Sequence, residues 1–288
     1  MEINQLQKVT AQVRRDIVRM VHACQSGHPG GSLGCTDIVT ALYFSVMKLK
    51  EDKNAEGFIN FDMDAKNEDV FLLSNGHISP LFYSVLSRRG YFDVKELATF
   101  RKLNSRLQGH PATHEHLPGI RIASGSLGQG LSVACGVALA KKMNGEDNFV
   151  YVLMGDGEQN EGQIWEAAQF APHYKLKNLI AIVDVNGQQI DGATKDVMDN
   201  RDLGAKYKAF GWTVLEMNGN DMEDILAVLQ RAKEDAQHTN GPVAIMARTN
   251  MGHGVDFMMG SHKWHGIAPD DEQLAKALAQ LEETLGDY

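Results

Sequence analysis

Val150 to Gly192 reads VYVLMGDGEQNEGQIWEAAQFAPHYKLKNLIAIVDVNGQQIDG. An apolar run, Phe149 to Met154, breaks off at Gly155-Asp156-Gly157. A helix-forming stretch follows, then a second apolar run, Leu179 to Val185, which ends at Asn186-Gly187. Both runs are short and β-branched, the pattern of strands buried on both faces. The order is strand, turn, helix, strand, with an oxygen-bearing side chain at the exit of each strand. The glycines flanking Asp156 permit a sharp turn and a close backbone approach to a ligand. The next helix points its N-terminus at that turn, where free N–H groups favour an anion such as phosphate. Asp156 would repel phosphate unless a cation stood between them, and Mg²⁺ takes oxygen ligands and bridges phosphates. Asn186 lies 30 positions beyond Asp156, one β-α-β unit away. A right-handed crossover brings both strand exits to one sheet edge. Asp156 and Asn186, with a nearby carbonyl, are therefore candidate Mg²⁺ ligands facing a diphosphate. A lone Gly-Asp-Gly is more often a plain turn; the strand exit before it and the second ligand one crossover later shift that balance.

Outward from this stretch, the chain predicts more of the same architecture. Its 288 residues, 43% hydrophobic, support a sizeable core. A net charge of −9, with no basic cluster interleaved with aromatics, argues against a nucleic-acid surface. The N-terminus carries no apolar core of signal-peptide length, and no run approaches a membrane span. Three cysteines, Cys24, Cys35 and Cys135, lack metal-like spacing and fit a reducing cytoplasm.

Residues 4–24 carry apolar positions at helical spacing and predict an amphipathic helix with a basic outer face. A Gly-rich break, Ser26 to Gly34, follows, and Thr36 is placed to cap a helix from Asp37 to Met47. Residues 50–68 are polar and irregular, a surface loop. Val70 to Leu73 predicts the first strand; helices are expected at Pro80 to Arg89 and Val94 to Lys102. Gly125-Ser126-Leu127-Gly128-Gln129-Gly130 opens a helix of small residues, suited to close packing on another helix or subunit. Trp212 to Met217 and Pro242 to Ala247 add two strands around a helix from Met222 capped by Asp221. A last helix is expected from Asp270 to Leu285. Five strands alternating with helices predict an α/β fold, a doubly wound and mostly parallel sheet flanked by helices. With no repeat or linker, residues 1–288 read as a single domain.

Of eleven histidines, His22, His114, His116, His173 and His238 read as surface or satisfied side chains. His28, His77, His110 and His265 share a different setting, each beside a glycine in a predicted loop. His77 follows a strand exit on the same sheet edge as Asp156. Imidazoles there can donate to phosphate oxygens or to the hydroxyls and oxyanion of a substrate. Zinc is disfavoured, since no predicted helix carries His-x3-His and no cysteine or carboxylate partner set appears.

Gly155-Asp156-Gly157 with Asn186 resembles the thiamine diphosphate motif of the transketolase family. Ser26 to Gly34, Ser74 to His77, Gly109-His110-Pro111, Gly125 to Gly130 and Trp264 to Pro269 resemble that family's other loops, in the same order. Weak singly, these motifs together are highly specific, and they run from about residue 10 to 270. The resemblance implies a thiamine diphosphate-binding domain of the diphosphate-binding type. It implies a metal, Mg²⁺ with Ca²⁺ or Mn²⁺ as substitutes, held by Asp156, Asn186 and the carbonyl of Gln188. It places His77, His265, Gly157 and Glu158 at the diphosphate, and Gly125 and Leu127 at the aminopyrimidine. His28, His110 and His265 would surround the reacting oxygens. Glu161, with Glu166 beside it, resembles an interface glutamate that communicates between active sites; a plain helix-dipole role competes with it. The implied activity is two-carbon ketol transfer from a ketose phosphate to an aldose phosphate, as in the pentose phosphate pathway.

The family's pyrimidine-binding and C-terminal domains have no counterpart in these residues. The expectation is therefore a split transketolase, in which a separate C-terminal subunit carries the pyrimidine-binding domain and two copies of each chain assemble. Ser126, where proline is common, and His253, where an aromatic or basic residue is usual, bear on substrate preference. The alternatives are an enzyme specialised for an unusual sugar, one of the deoxyxylulose phosphate synthase type, or a non-catalytic regulatory subunit.

Overall fold

The computed structural model describes residues 1–288. Five strands form one parallel sheet: β1 (Val70–Leu73), β2 (Val150–Gly155), β3 (Leu179–Val185), β4 (Thr213–Asn218) and β5 (Val243–Arg248). Their spatial order is β1-β2-β3-β5-β4. Register runs straight across, with Val70 opposite Val150, Val150 opposite Leu179, and Val243 opposite both Ile180 and Thr213. Every strand exit therefore lies on one edge, where ligands bind open α/β sheets.

Apart from a single turn at Thr194–Val197, the α-helices are α1 (Ile3–Ala23), α2 (Pro29–Gly34), α3 (Thr36–Ala41), α4 (Ser79–Arg89), α5 (Gly130–Met143), α6 (Gly162–His173), α7 (Leu203–Ala209), α8 (Met222–Thr239) and α9 (Asp271–Gln280). Alternation along the strands sorts the core into two layers. Phe71, Leu73, Tyr151, Leu153, Ile180 and Ile182 pack with α1, α3, α4 and α8. Their neighbours Val70, Leu72, Val150, Val152, Ala181 and Val183 pack with α5, α6 and α7. The sheet is thus covered on both faces, which is why its strands read as continuous apolar runs. No helix is long and apolar enough to cross a membrane.

Several local expectations needed correction. The outer face of α1 is not a solvated basic face: Arg14 and Arg15 are buried, beside the fully buried Gln12 and Asp16. Arg14 pairs with Asp37, and Arg15 with Asp287 in the C-terminal segment. Long-range ion pairing overrode the helical charge pattern. The Gly-rich break contains α2. Thr36 does not cap: its hydroxyl donates to the Ser32 carbonyl at 2.8 Å, so α3 continues from α2 with only Cys35 between them. The predicted helix to Met47 ends as α-helix at Ala41 and widens into a π turn over Leu42–Val46. The last helix stops at Gln280, and residues 281–288 fold back onto α1. By contrast, Asp221 does cap α8, accepting from the Glu223 and Asp224 N–H groups.

Candidate functional site

The sheet edge gathers the exits of β1, β2 and β3 around a cavity of about 390 Å³, within the range of small-molecule sites. Ser74 to His77 leave β1, Asp156 and Gly157 leave β2, and Asn186 and Gln188 leave β3. His28 stands just before α2, and His265 arrives from the long loop after β5. His110 and Gly125 close one side. Gly125 has φ +122°, and a Cβ there would sit 2.8 Å from the His110 ring. Only glycine lets that ring lie so close. Similarly, a Cβ on Gly157 would fall 2.6 Å from Gln189 Oε1.

Four imidazoles make one wall. His28 lies 5.0 Å from His77, 5.5 Å from His265 and 6.4 Å from His110, between ring centroids. His77 and His265 are 5.0 Å apart. Burial, with repulsion from His265, Arg101 and His110, holds His28 down to about 4. Burial also drives His77 well below its usual value and lowers His110 and His265. At neutral pH the wall is therefore uncharged, and each ring offers one donor and one acceptor. His28 Nδ1 and His265 Nδ1 are buried without a protein partner, as are Asn75 Oδ1 and Ser124 Oγ. Such atoms call for a ligand that can hydrogen-bond.

Another part of the lining is acidic. Asp156 is 4% exposed. Its Oδ1 accepts the Gly157 N–H at 2.7 Å, and its Oδ2 accepts the Gly187 N–H at 2.7 Å and the Thr194 hydroxyl at 3.4 Å. Burial and the neighbouring Asp184 raise its pKa to about 7. Neither carboxylate has a cationic side chain acting on it. Asn186 Nδ2 donates to Asp184 Oδ2 at 2.6 Å, and Asn186 Oδ1 accepts the Gln188 N–H at 2.9 Å. Two buried acids beside amide and carbonyl oxygens form a donor set suited to a hard divalent cation. The neutral imidazoles of the same cavity suit an anionic diphosphate. The residues present therefore fit a diphosphate cofactor bound through Mg²⁺.

Most of the predicted residues converge on this one cavity: the cluster of His28, His77, His110 and His265, together with Asp156, Gly157, Asn186, Gln188, Gly125 and Leu127. Glu158 also borders it, but its carboxylate turns inward. It accepts from the Ser74 hydroxyl, the Gly128 N–H at 2.8 Å and the Gly155 N–H at 3.0 Å. That arrangement ties three loops together and leaves no free oxygen for the cofactor. Glu161 lies outside the cavity, exposed at the start of α6, and Glu166 lines a separate groove between α5 and α6. Sequence reading missed Asp184, although a carboxylate inside the apolar run LIAIVDV was itself a signal.

Residues 6–285 match the family model described as "Transketolase, thiamine diphosphate binding domain". The chain belongs to the transketolase family. It is 39% identical over 286 residues to an apulose-4-phosphate transketolase subunit of Phocaeicola vulgatus, covering 99% of this chain and 96% of that protein. Over 256 residues it is 38% identical to the 6-deoxy-6-sulfo-D-fructose transketolase subunit SqwG of a Clostridium species, covering 89% of this chain and 88% of that one. The crystal structure of transketolase from Campylobacter jejuni superposes with a TM-score of 0.87 at 34% identity, covering 98% of this chain and 43% of that chain. This family member is thus similar in length to the named subunits and spans less than half of the Campylobacter chain. The matched domain carries thiamine diphosphate as its cofactor.

Proposed function

We propose that this chain is the diphosphate-binding subunit of a two-chain transketolase that uses thiamine diphosphate and Mg²⁺. In this reading residues 1–288 act as one domain, and a partner chain supplies the pyrimidine-binding domain. Two copies of each chain assemble, and sugar phosphates are the substrates. The observation that carries the reading is the lining of one cavity, four neutral imidazoles together with Asp156 and Asn186, in a chain whose relatives of equal length are named transketolase subunits. A cytoplasmic setting belongs to the same proposal and rests on three cysteines free of disulfides.

Asp156, Asn186 and the Gln188 carbonyl would hold the metal, with Ca²⁺ or Mn²⁺ as substitutes. His77 and His265 would donate to the diphosphate. When bound, thiamine diphosphate supplies a nucleophilic thiazolium carbon for moving the two-carbon unit. His28, His110 and His265 bind the sugar oxygens. Because their rings are neutral, each can take a proton from a hydroxyl or hold one against a developing oxyanion. Leu127 and Ile190 give the margin of the cavity an apolar lining. Glu161 has no part in this wall; its exposed position leaves it free for contact with a second chain.

The names of the relatives favour a specialised sugar over those of the pentose phosphate pathway. Identity is 39%, 38% and 36% to three specialised subunits, against 36% to a transketolase-like protein of Mus musculus and 33% to the transketolase of Homo sapiens, so the support comes from the shared length and naming of the subunits. The test mixes this chain with its partner chain. It offers apulose 4-phosphate, 6-deoxy-6-sulfo-D-fructose, fructose 6-phosphate and xylulose 5-phosphate as donors, with aldose phosphates as acceptors. Activity requiring both chains is expected; turnover by this chain alone overturns the two-chain reading. Failure of every donor in a cofactor-loaded assembly overturns the transferase assignment.

A further inference from the structure

Asp184 is 2% exposed at the exit of β3, and three elements converge on it. Asn186 Nδ2 donates to Asp184 Oδ2 at 2.6 Å. The other carboxylate oxygen accepts from the hydroxyl of Thr249, just past β5. The Cys35 thiol, between α2 and α3, borders the same carboxylate. A buried charge with only neutral donors is costly to keep, so its presence asks for a function.

An amide side chain has two ends of nearly equal shape, one an acceptor and one a double donor. Asn186 can ligate a cation only through its oxygen. Turned over, it would aim N–H groups at the metal. A carboxylate at the other end accepts only, and so admits a single orientation. The Gln188 N–H, 2.9 Å from Asn186 Oδ1, selects the same orientation independently.

We propose that Asp184 is a positioning residue for the metal site: by accepting the Asn186 amide N–H it directs the Asn186 oxygen toward the cation. Thr249 in turn fixes the carboxylate. Partners of this kind behind a metal ligand tune affinity by about 10- to 100-fold. The inference rests on the proposed metal role of Asp156 and Asn186, and the controls separate the two.

The experiment titrates Mg²⁺ into the assembled two-chain enzyme at saturating thiamine diphosphate and reads binding by calorimetry, without turnover. Asp184→Asn sets one amide against another and is expected to weaken Mg²⁺ at least tenfold. The exchange Asp184→Asn with Asn186→Asp rebuilds the hydrogen bond with its polarity reversed and keeps an oxygen for the metal. It is expected to return affinity to within about threefold of the parent. A role in folding alone predicts no such rescue. Parental affinity in Asp184→Asn, or an exchange variant no better than the single one, overturns the inference. Should Asp184→Asn fail to assemble, Thr249→Val decides: three- to fivefold weaker Mg²⁺ is expected, and parental affinity overturns it. If Asp156→Ala also binds Mg²⁺ and cofactor normally, the metal reading itself has failed, whatever Asp184 does.

Discussion

Two acidic clusters in this molecule, one buried and one half-buried, have opposite electrostatics. Beneath the cavity, burial raises the pKa of both Asp156 and Asp184, Asp184 adds to the rise at Asp156, and no cation of the chain balances them. Against α1, Asp16 of the helix and Asp287 of the C-terminal segment are enclosed by arginines. Arg88 grips Asp16 with two hydrogen bonds of 2.7 and 2.8 Å. Arg15 binds Asp287 at 2.7 and 2.9 Å, and Arg19 adds another at 2.9 Å. Hydrogen bonding to Arg15 is the main cause that holds Asp287 down to about 2, whereas burial lifts Asp156 to about 7. Identical chemistry thus serves two ends. Where the chain supplies the countercharge, the cluster fastens the C-terminal segment to the body. Where it does not, the cluster is prepared for a cation from outside.

This contrast is most directly broken at Asp156. Asp156→Ala is expected to weaken Mg²⁺-dependent thiamine diphosphate binding in the assembled enzyme at least 100-fold. Its thermal unfolding without metal or cofactor should hold or rise, because a buried unpaired charge is gone. Calorimetry and a melting scan read the two effects, and a large drop in the metal-free melting temperature would place Asp156 with the structural cluster instead.

Arg15→Ala tests the other half. It removes two of the hydrogen bonds to Asp287, leaving those from Arg19 and Gln12, and frees the Leu278 and Leu281 carbonyls that Arg15 now binds. A loss of about 2 kcal/mol is expected, with cofactor affinity in the assembled enzyme changed less than twofold. Denaturant titration and calorimetry together decide, and parental stability would remove the clasp from the comparison.

The smallest effect is in pH dependence. His28 has a folded pKa of about 4 against 6.5 for a free imidazole, so between those values the unfolded chain binds more protons. Stability therefore falls as pH drops from 6.5 toward 4, by about 1–2 kcal/mol allowing for screening. Asp287 acts lower: its contribution is present above 3.8 and lost as pH falls through about 2. Denaturation curves taken from pH 7 to 3 should show the first loss in the parent and a shallower slope in His28→Gln. An unchanged slope would mean that the imidazole wall does not titrate as a buried cluster.

Much of the site was legible in one dimension, because strand exits announce themselves. An apolar run that stops at Gly-Asp-Gly, or at Asn-Gly, marks both a strand end and a candidate ligand. Parallel pairing then forces all such ends onto one edge. The four glycine-flanked histidines fit the same logic. What escaped was every feature set by packing across the chain. The arginines of α1 look solvated in sequence, since nothing local shows that residues 281–288 return to cover them. Glu158 reads as a ligand by its place in the motif, yet its oxygens are spent on Ser74, Gly128 and Gly155. Asp184 sits inside a strand, and its role depends on Thr249, 65 residues away.

By itself, then, the sequence determined the parallel α/β sheet, the family and the residues that meet at the sheet edge, because strand periodicity and motif spacing are local quantities. The tertiary structure alone decided which carboxylates are neutralised within the chain and which are left for a metal, because countercharge is a property of neighbours in space.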